Sequence, residues 1–348
     1  MKNRVPLKEI AKNLNISSAT VSLVLHNRPG VSDETRTKVL QQLKDHGYHE
    51  ELKEQEKETI RRVYLLKYSV VGYHTGKNDG FVNSMLDSIG QEARKLGYDV
   101  VVTPCHEGEF IKVLQLINEN PLDGMILLGT DLPLFYKNYL EEFQSPVVTV
   151  DTKMPAFECD SVTIDNRQCI YKAVDLLCGY GHSRIGFIYS CFKTYNYKER
   201  YYSFMNIAEE RGIKVDRSIC FPVNPMMEGT YDNIVSIMQE SGSMPDAVIA
   251  DNDAVAVGML NALSAKGYSI PDDISLVSIG DSLFCRMTSP AITAVQIPGE
   301  MIGETAMRVL NCRIENPNGT RCTVSVAGDV MMRESAARKG PRTDLPEK

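Results

Sequence analysis

The sequence predicts an N-terminal all-α helix-turn-helix head joined to an α/β core of two parallel-sheet subdomains. Three observations carry this expectation. At 348 residues the chain exceeds one ordinary domain. Its first 49 residues hold three short helical patterns and no strand-like run. From about residue 62 onward, β-rich runs alternate with helical stretches, the rhythm of βα units whose strands are covered by helices.

Taken in order, Leu7, Ile10, Ala11 and Leu14 fall at i, i+3, i+4 and i+7 and give the first helix one apolar stripe. The turn "NLNIS" follows. Ser17 then suits the N-cap of a second helix whose inward residues are Val21, Val24 and Leu25. After the loop "HNRPGV", Ser32 is the expected cap of a third helix, with Asp33 and Glu34 in its first turn, Val39, Leu40 and Leu43 inward, and Gly47 as its stop. Residues 50–62 form an acidic connector: of the nine from Glu50 to Glu58, seven are charged and five acidic. Beyond it come the strand runs "RVYLLKY", "YDVVVTPC", "LDGMILLG" and "SPVVTVD", then "SVTID", "RIGFIYS", "ICFPV", "DAVIAD", "ISLVSIG", "AITAVQI" and a single long run "CTVSVAGDV". Helical stretches such as "FVNSMLDSIGQEARKLG" separate them. Two parallel sheets follow, and in that architecture a ligand sits where the carboxyl ends of strands open into a crevice. Residues 340–348 read as a disordered tail.

Composition narrows the function classes. An apolar fraction of 43% with 24% charged residues is that of a soluble globular chain. No apolar run near 18 residues and no leader pattern at "MKNRVPLKEIAKNLN" point to a cytoplasmic protein without a membrane partner. Nine scattered cysteines without a C-x-x-C pair suggest reduced, mostly buried thiols; no metal site and no cofactor are expected. An enzyme is not expected either. "GYHTGK" has three residues between its glycines where a phosphate loop needs four, "GYGHSRIG" lacks dinucleotide spacing, and no G-x-S-x-G elbow occurs.

The charge is uneven. Residues 1–49 carry eight Lys/Arg against four Asp/Glu, whereas the whole chain is −7, so only the head has a sign that suits a polyanion. On the second helix, the face opposite its core stripe holds Ser18, Ala19, Ser22, Leu23 and His26. Short side chains there let a helix lie deep in a DNA major groove, with hydroxyls and a methyl near base edges. Lys2, Arg4, Lys8, Lys12, Arg28 and Lys38 would meet phosphates. The competing reading is a three-helix bundle that docks protein.

The stretch "LKEIAKNLNISSATVSLVLHNRPGVSDETRTKVLQQLKDHGY" closely resembles the DNA-binding head of the lactose-repressor (LacI/GalR) family of bacterial transcription regulators. The likeness continues through "VTIDNRQCIYKAVDLLCGYGHSRIGFI", "NDAVAVGMLNALSAKGYSIPDDISLVSIGD" and "SPAITAVQ". The resemblance implies a homodimer whose heads read a near-palindromic double-stranded operator, and a periplasmic-binding-protein-like core, here residues 63–339, that closes on a small, sugar-like effector. DNA contacts are implied for Leu7, Ser17, Ser18, Ala19, Thr20, Ser22, Leu23, His26, Arg28 and Lys57. The expected division of the core is 63–163 with 292–321 in subdomain one, and 164–291 with 322–339 in subdomain two.

Three departures from the family pattern are informative. The recognition helix commonly reads T-V-S-R-V-L-N; here it is "TVSLVLH", and Leu23 cannot make the Arg-to-guanine contact. After "GY" the family has a short helix that wedges a Leu into the minor groove, but this chain has Lys57 at that position among five carboxylates, so a solvated connector is expected rather than a wedge. The family's "G-[FY]-D-D" becomes "SIGD", placing Gly280 where an effector-holding Asp usually stands, with Asp281 next. Carried over residue by residue, Phe81, Asp151, Asp165, Arg200, Asn252 and Asp281 are the implied effector contacts. A ring, carboxylates, a guanidinium and an amide suit a hydroxylated ligand. For Asp151 and Asp165 a turn or cap role competes, for Arg200 a solvated charge, and for Phe81 core packing. The expected function is an effector-controlled DNA-binding transcriptional regulator, a repressor; the alternative is a sugar sensor whose head docks protein.

Overall fold

The computed structural model describes residues 5–26, 28, 30–48, 61–70, 80–154, 157–213, 215, 220–224, 231–236 and 244–339. The chain divides into two compact units, at Arg61 and Arg62. In the first, α1 (Leu7–Asn13), α2 (Ser18–Leu25) and α3 (Asp33–Asp45) bury Ile10, Val21, Val24, Val39 and Leu43 completely, the inner residues of the three predicted stripes. Asn15 turns the chain between α1 and α2 at φ 54°, a region Asn tolerates better than most residues. Ser17 caps α2, accepting the Thr20 amide at 3.0 Å. Ser32 behaves otherwise than expected: it precedes α3, but its hydroxyl donates to Thr35 Oγ1 at 2.9 Å instead of accepting a helix amide. Tyr48 donates to the Val5 carbonyl at 2.9 Å and ties the end of the unit to its beginning.

The second unit holds two six-stranded sheets. The first contains β1 (Arg61–Ser69), β2 (Tyr98–His106), β3 (Gly124–Leu128), β4 (Val147–Val150), β5 (Asp160–Ile164) and β11 (Thr323–Val326), in the order β11-β5-β4-β3-β1-β2. The second contains β6 (Ile185–Ser190), β7 (Cys220–Val223), β8 (Ala247–Ala250), β9 (Ser275–Ile279), β10 (Thr293–Gln296) and β12 (Asp329–Met331), in the order β12-β10-β9-β8-β6-β7. Strands β3, β4, β5, β8 and β9 are buried at every residue, so β3 and β8 run apolar throughout, and the polar residues of β5 and β9, Asp160, Ser161, Thr163, Ser275 and Ser278, are buried as well. Helices α4 (Gly80–Lys95), α5 (Phe110–Glu119), α6 (Lys137–Glu141) and α11 (Gly299–Glu315) belong with the first sheet. Helices α7 (Asn166–Gly179), α8 (Tyr195–Glu210), α9 (Asp253–Ala265) and α10 (Leu283–Met287) belong with the second.

The sheets correct the expected division at two strands. β10 pairs with β9 in sheet two, and β11 pairs with β5 in sheet one, so residues 293–296 and 323–326 each lie in the opposite lobe from that expected. The single run "CTVSVAGDV" is likewise two strands. It breaks at Gly328, where a Cβ would lie 1.9 Å from the Gln296 carbonyl oxygen, because two segments crossing between lobes pass in contact there. Three such crossings, after β5, after β10 and between β11 and β12, join the lobes. The cysteines are all free, but only Cys105, Cys169 and Cys285 are buried, fewer than expected; Cys191, Cys312 and Cys322 are exposed.

Candidate DNA-reading face and ligand crevice

On α2, Ser18 and Ala19 are exposed, while Thr20, Ser22 and Leu23 are half-buried. Ser17 Oγ and Thr20 Oγ1 share a 2.8 Å hydrogen bond at the start of the helix. His26, exposed at its end, has Nδ1 2.9 Å from the Ser22 carbonyl oxygen. A carbonyl only accepts, so Nδ1 carries the proton, and in the neutral ring Nε2 is an outward acceptor. Leu7 packs partly against the head's own core. Arg28 is exposed, its carbonyl held by Arg36 Nη2 at 2.5 Å. Lys8 and Lys12 are exposed, and Lys38 is engaged by Glu34 at 2.7 Å. Lys2, Arg4, Lys57 and nearly all of the acidic connector fall outside the described residues.

In the core, a chain of buried side chains links the carboxyl end of β4 to that of β8. Asp151, directly after β4, has φ 60°, rare for a residue other than glycine. Its Oδ2 accepts from Thr130 at 2.6 Å, and Asn196 Nδ2 donates to its Oδ1 at 2.8 Å and to its carbonyl at 2.9 Å. Asn196 lies on α8, so this contact joins lobe one to lobe two. Asn166 Nδ2 in turn donates to Asn196 Oδ1 at 2.8 Å, and Asn166 Oδ1 accepts from Arg200 Nε at 2.9 Å. Arg200 Nη1 reaches the Asp251 carbonyl at 2.7 Å and its Oδ1 at 3.4 Å, while Asp251 Oδ2 accepts the Ser190 amide at 3.1 Å. Asp251 is fully buried. Burial pushes its carboxyl up to about 6, against the pull of Arg200. Although Arg200 is only 5% exposed, its Nη2 has no hydrogen-bond partner among the described residues. A guanidinium held on one edge and open on the other is an anchor for a ligand oxygen.

The other expected effector residues separate. Asp165 caps α7, its Oδ1 accepting the Gln168 amide at 2.9 Å. Asn252 caps α9 through the Val255 amide at 2.9 Å and spends its Nδ2 on the Tyr197 hydroxyl at 3.1 Å. Phe81, half-buried on the first turn of α4, packs against the lobe core; a Cβ on Gly299 would lie 3.1 Å from its ring. Asp281 is engaged within its own lobe. Its buried carboxylate is shared between Arg333 Nη2 at 2.6 Å and Arg286 Nη2 at 2.8 Å. The Arg333 amide bonds Thr293 at the amino end of β10, so Asp281 is turned back from the crevice. Gly280, at φ 124°, makes that turn. Thr130, Asn166, Asn196 and Asp251 escaped the sequence reading; Asp251 and Asn166 carried a usable signal, since each comes at or just after the end of a strand run.

Known proteins resemble the chain in the same two parts. Residues 6–51 match the family described as bacterial regulatory proteins, lacI family, and residues 174–336 match the periplasmic binding protein-like domain. Among curated relatives, the HTH-type transcriptional regulator RegA of Clostridium saccharobutylicum is 28% identical over 87% of this chain and 91% of its own length. The ribose operon repressor of Haemophilus influenzae is 26% identical over 94% and 98%. Among solved structures, a complex of the transcriptional regulator CelR with cellobiose superposes with a TM-score of 0.69 at 23% identity, covering 95% of this chain and all of that one. The lac repressor dimer bound to operator and the anti-inducer ONPF gives 0.69 at 17% identity over 96% and 100%.

Proposed function

Given that this chain belongs to the lacI family of bacterial regulatory proteins and is a DNA-binding transcriptional regulator, we propose that it is a cytoplasmic repressor that reads its operator as a homodimer and responds to a small ligand in the crevice between its lobes. The observation that carries the DNA half is α2, whose outer face offers Ser18, Ala19, Ser22, Leu23 and His26 while Val21, Val24 and Leu25 hold it to the head. Leu23 makes the half-site preference differ from that of a helix with Arg there, because it offers thymine methyl an apolar partner and guanine no donor. The observation behind the ligand half is the interlobe contact of Asn196 with Asp151 beside the open edge of Arg200. A ligand oxygen bound by Arg200 would stabilise one lobe angle over another, and any effect on DNA affinity must be returned equally on ligand affinity. Exposed apolar side chains on α10, Leu283, Phe284 and Met287, and Val101 and Val102 on the edge strand β2, support pairing of two copies. Two similar proteins are a ribose operon repressor and a regulator seen in complex with cellobiose, which favours a saccharide as the ligand class here. The protein is read as a binder rather than an enzyme.

Selection from a randomised duplex pool tests this proposal. Purified protein is expected to enrich a near-palindromic site with thymine opposite Leu23, with affinity falling steeply as salt rises. A Leu23→Arg variant should move that position toward guanine. Failure to retain any duplex at low ionic strength would overturn the proposal.

A further inference from the structure

We propose that Cys312 and Cys322 form a thiol–disulfide exchange site on lobe one, in which a low-molecular-weight disulfide oxidises the pair to an intramolecular bridge. Of the nine cysteines, Cys191, Cys312 and Cys322 are exposed. Cys312 lies in the last turn of α11, one residue before Arg313, and Cys322 comes directly before β11. Arg313 brings these two ends together. Its Nε and Nη2 donate to Asp160 Oδ2 and Oδ1 at 2.7 and 3.1 Å, and the Cys322 amide donates to the same Oδ1 at 2.8 Å. The segment between the cysteines folds back over the guanidinium, with Nη1 donating to the Pro317 and Gly319 carbonyls at 3.2 and 2.5 Å and Nη2 to the Thr320 carbonyl at 3.0 Å.

The strand register fixes the side of the sheet. Thr323 pairs with Ser161, and the Ser161 amide bonds the Cys322 carbonyl at 3.0 Å, so Cys322 stands beside Asp160 and shares the face from which Arg313 of α11 reaches it. Cys159 points to the other face with Ser161, its Sγ lying 3.7 Å from Thr149 Oγ1 and 4.0 Å from Ser161 Oγ, and is not the partner. Partial burial first, then the Asp160 carboxylate, raises the Cys322 thiol; Cys312 adds to the shift, as a neighbouring thiol would. A raised thiol is a slow attacker, so Cys312 acts first. Having released its proton to solvent, Cys312 attacks one sulfur of the reagent, forming a mixed disulfide and expelling a thiolate. Cys322 then gives up its proton, attacks the Cys312 sulfur and expels the second thiolate. The cysteine pair is oxidised, the reagent is reduced, and the two protons end on the two released thiols. Cys191 gives the contrast. Its amide bonds Val223 at one end of the β6–β7 pair, while Cys220 pairs with Phe187 at the other.

The test treats the reduced full-length protein with oxidised glutathione, blocks the remaining thiols by alkylation, and maps the peptides by mass spectrometry without reduction. The main cross-linked product should join Cys312 to Cys322, while Cys191 keeps glutathione because nothing resolves it. The bridge should form roughly ten-fold faster in the folded protein than in the urea-unfolded chain, since the fold holds the two thiols at a raised effective concentration. Cys322→Ser should leave glutathione on Cys312. Four results overturn the proposal: no reaction at Cys312 or Cys322, glutathione retained on Cys312 in the parent protein, a bridge from either residue to another cysteine, or a bridge that forms equally fast in urea. Glutathione missing from Cys312 in the Cys322→Ser protein overturns the order of attack.

Discussion

Gly280 shows how one residue redirects a site. A Cβ at this position would lie 2.9 Å from Asp253 Oδ1 and 3.0 Å from Oδ2, and the φ of 124° belongs to glycine. The carboxylate that the family pattern places at 280 is thus displaced by another, contributed from the first turn of α9. Gly280→Asp should cost about 1–3 kcal/mol from backbone strain alone, more with two carboxylates in contact. Urea denaturation at unchanged slope would show it, and a neutral result would remove this account of "SIGD". The same scale explains which site residues were legible in the sequence. Asp165 and Asn252 were read as ligand groups because carboxylates and amides after strands are both ligands and helix caps, and spacing does not distinguish the two. Asn196 gave no signal at all: its partner Asp151 lies 45 residues away and is met only across the lobes.

Between elements, α4 and α11 approach closely. A Cβ on Gly303 would fall 2.1 Å from Ser88 Oγ and 2.3 Å from the Met85 carbonyl, and one on Gly299 would fall 2.4 Å from Ser84 Oγ. Two glycines four apart face two serines four apart, so the helix axes come near enough for backbone to touch side chain. Gly303→Ala must push the helices apart and should cost about 1–3 kcal/mol. Gly179→Ala is the control. It ends α7, exposed and with no atom within 4 Å of the added Cβ, and should stabilise by up to about 1 kcal/mol through the unfolded chain. Equal effects of the two changes on the denaturation midpoint would show that the contact is not limiting. The β-rich runs of the core were plain from sequence because strands covered on both faces are rich in β-branched and other apolar residues. The lobe membership of β10 and β11 was not, because both lobes use the same strand chemistry and only the pairing of β10 with β9 and of β11 with β5 assigns them.

As a whole molecule, the chain is two units of unequal core. Among the described residues the head's cluster of buried side chains has seven members, too few to give a unit of this size much independent stability, whereas the second unit holds three larger clusters. Calorimetry should resolve two transitions, the upper retained in a chain beginning at Arg61 and the lower missing from it; a single transition lost on truncation would mean that the units melt together. The core transition should also carry two opposed pH dependences. His182 is buried, its Nε2 donating to the Ala337 carbonyl at 3.0 Å, and burial lowers its pKa from 6.5. Its unfolded form therefore binds the extra proton, so its contribution is complete above about pH 6.5 and fades as pH falls. Asp251, raised from 3.8 to about 6, has the opposite sign: the folded state holds the extra proton, and stability from this group is lost as pH rises through about 6. Between about pH 5 and 6.5 the two partly cancel in the native protein. Asp251→Asn removes the falling contribution, so its stability should climb with pH more steeply than that of the parent, whatever the absolute loss from unpairing Arg200. His182→Gln should climb less steeply. Urea midpoints measured across that range separate the slopes, and parallel curves for all three proteins would show that neither group titrates on folding.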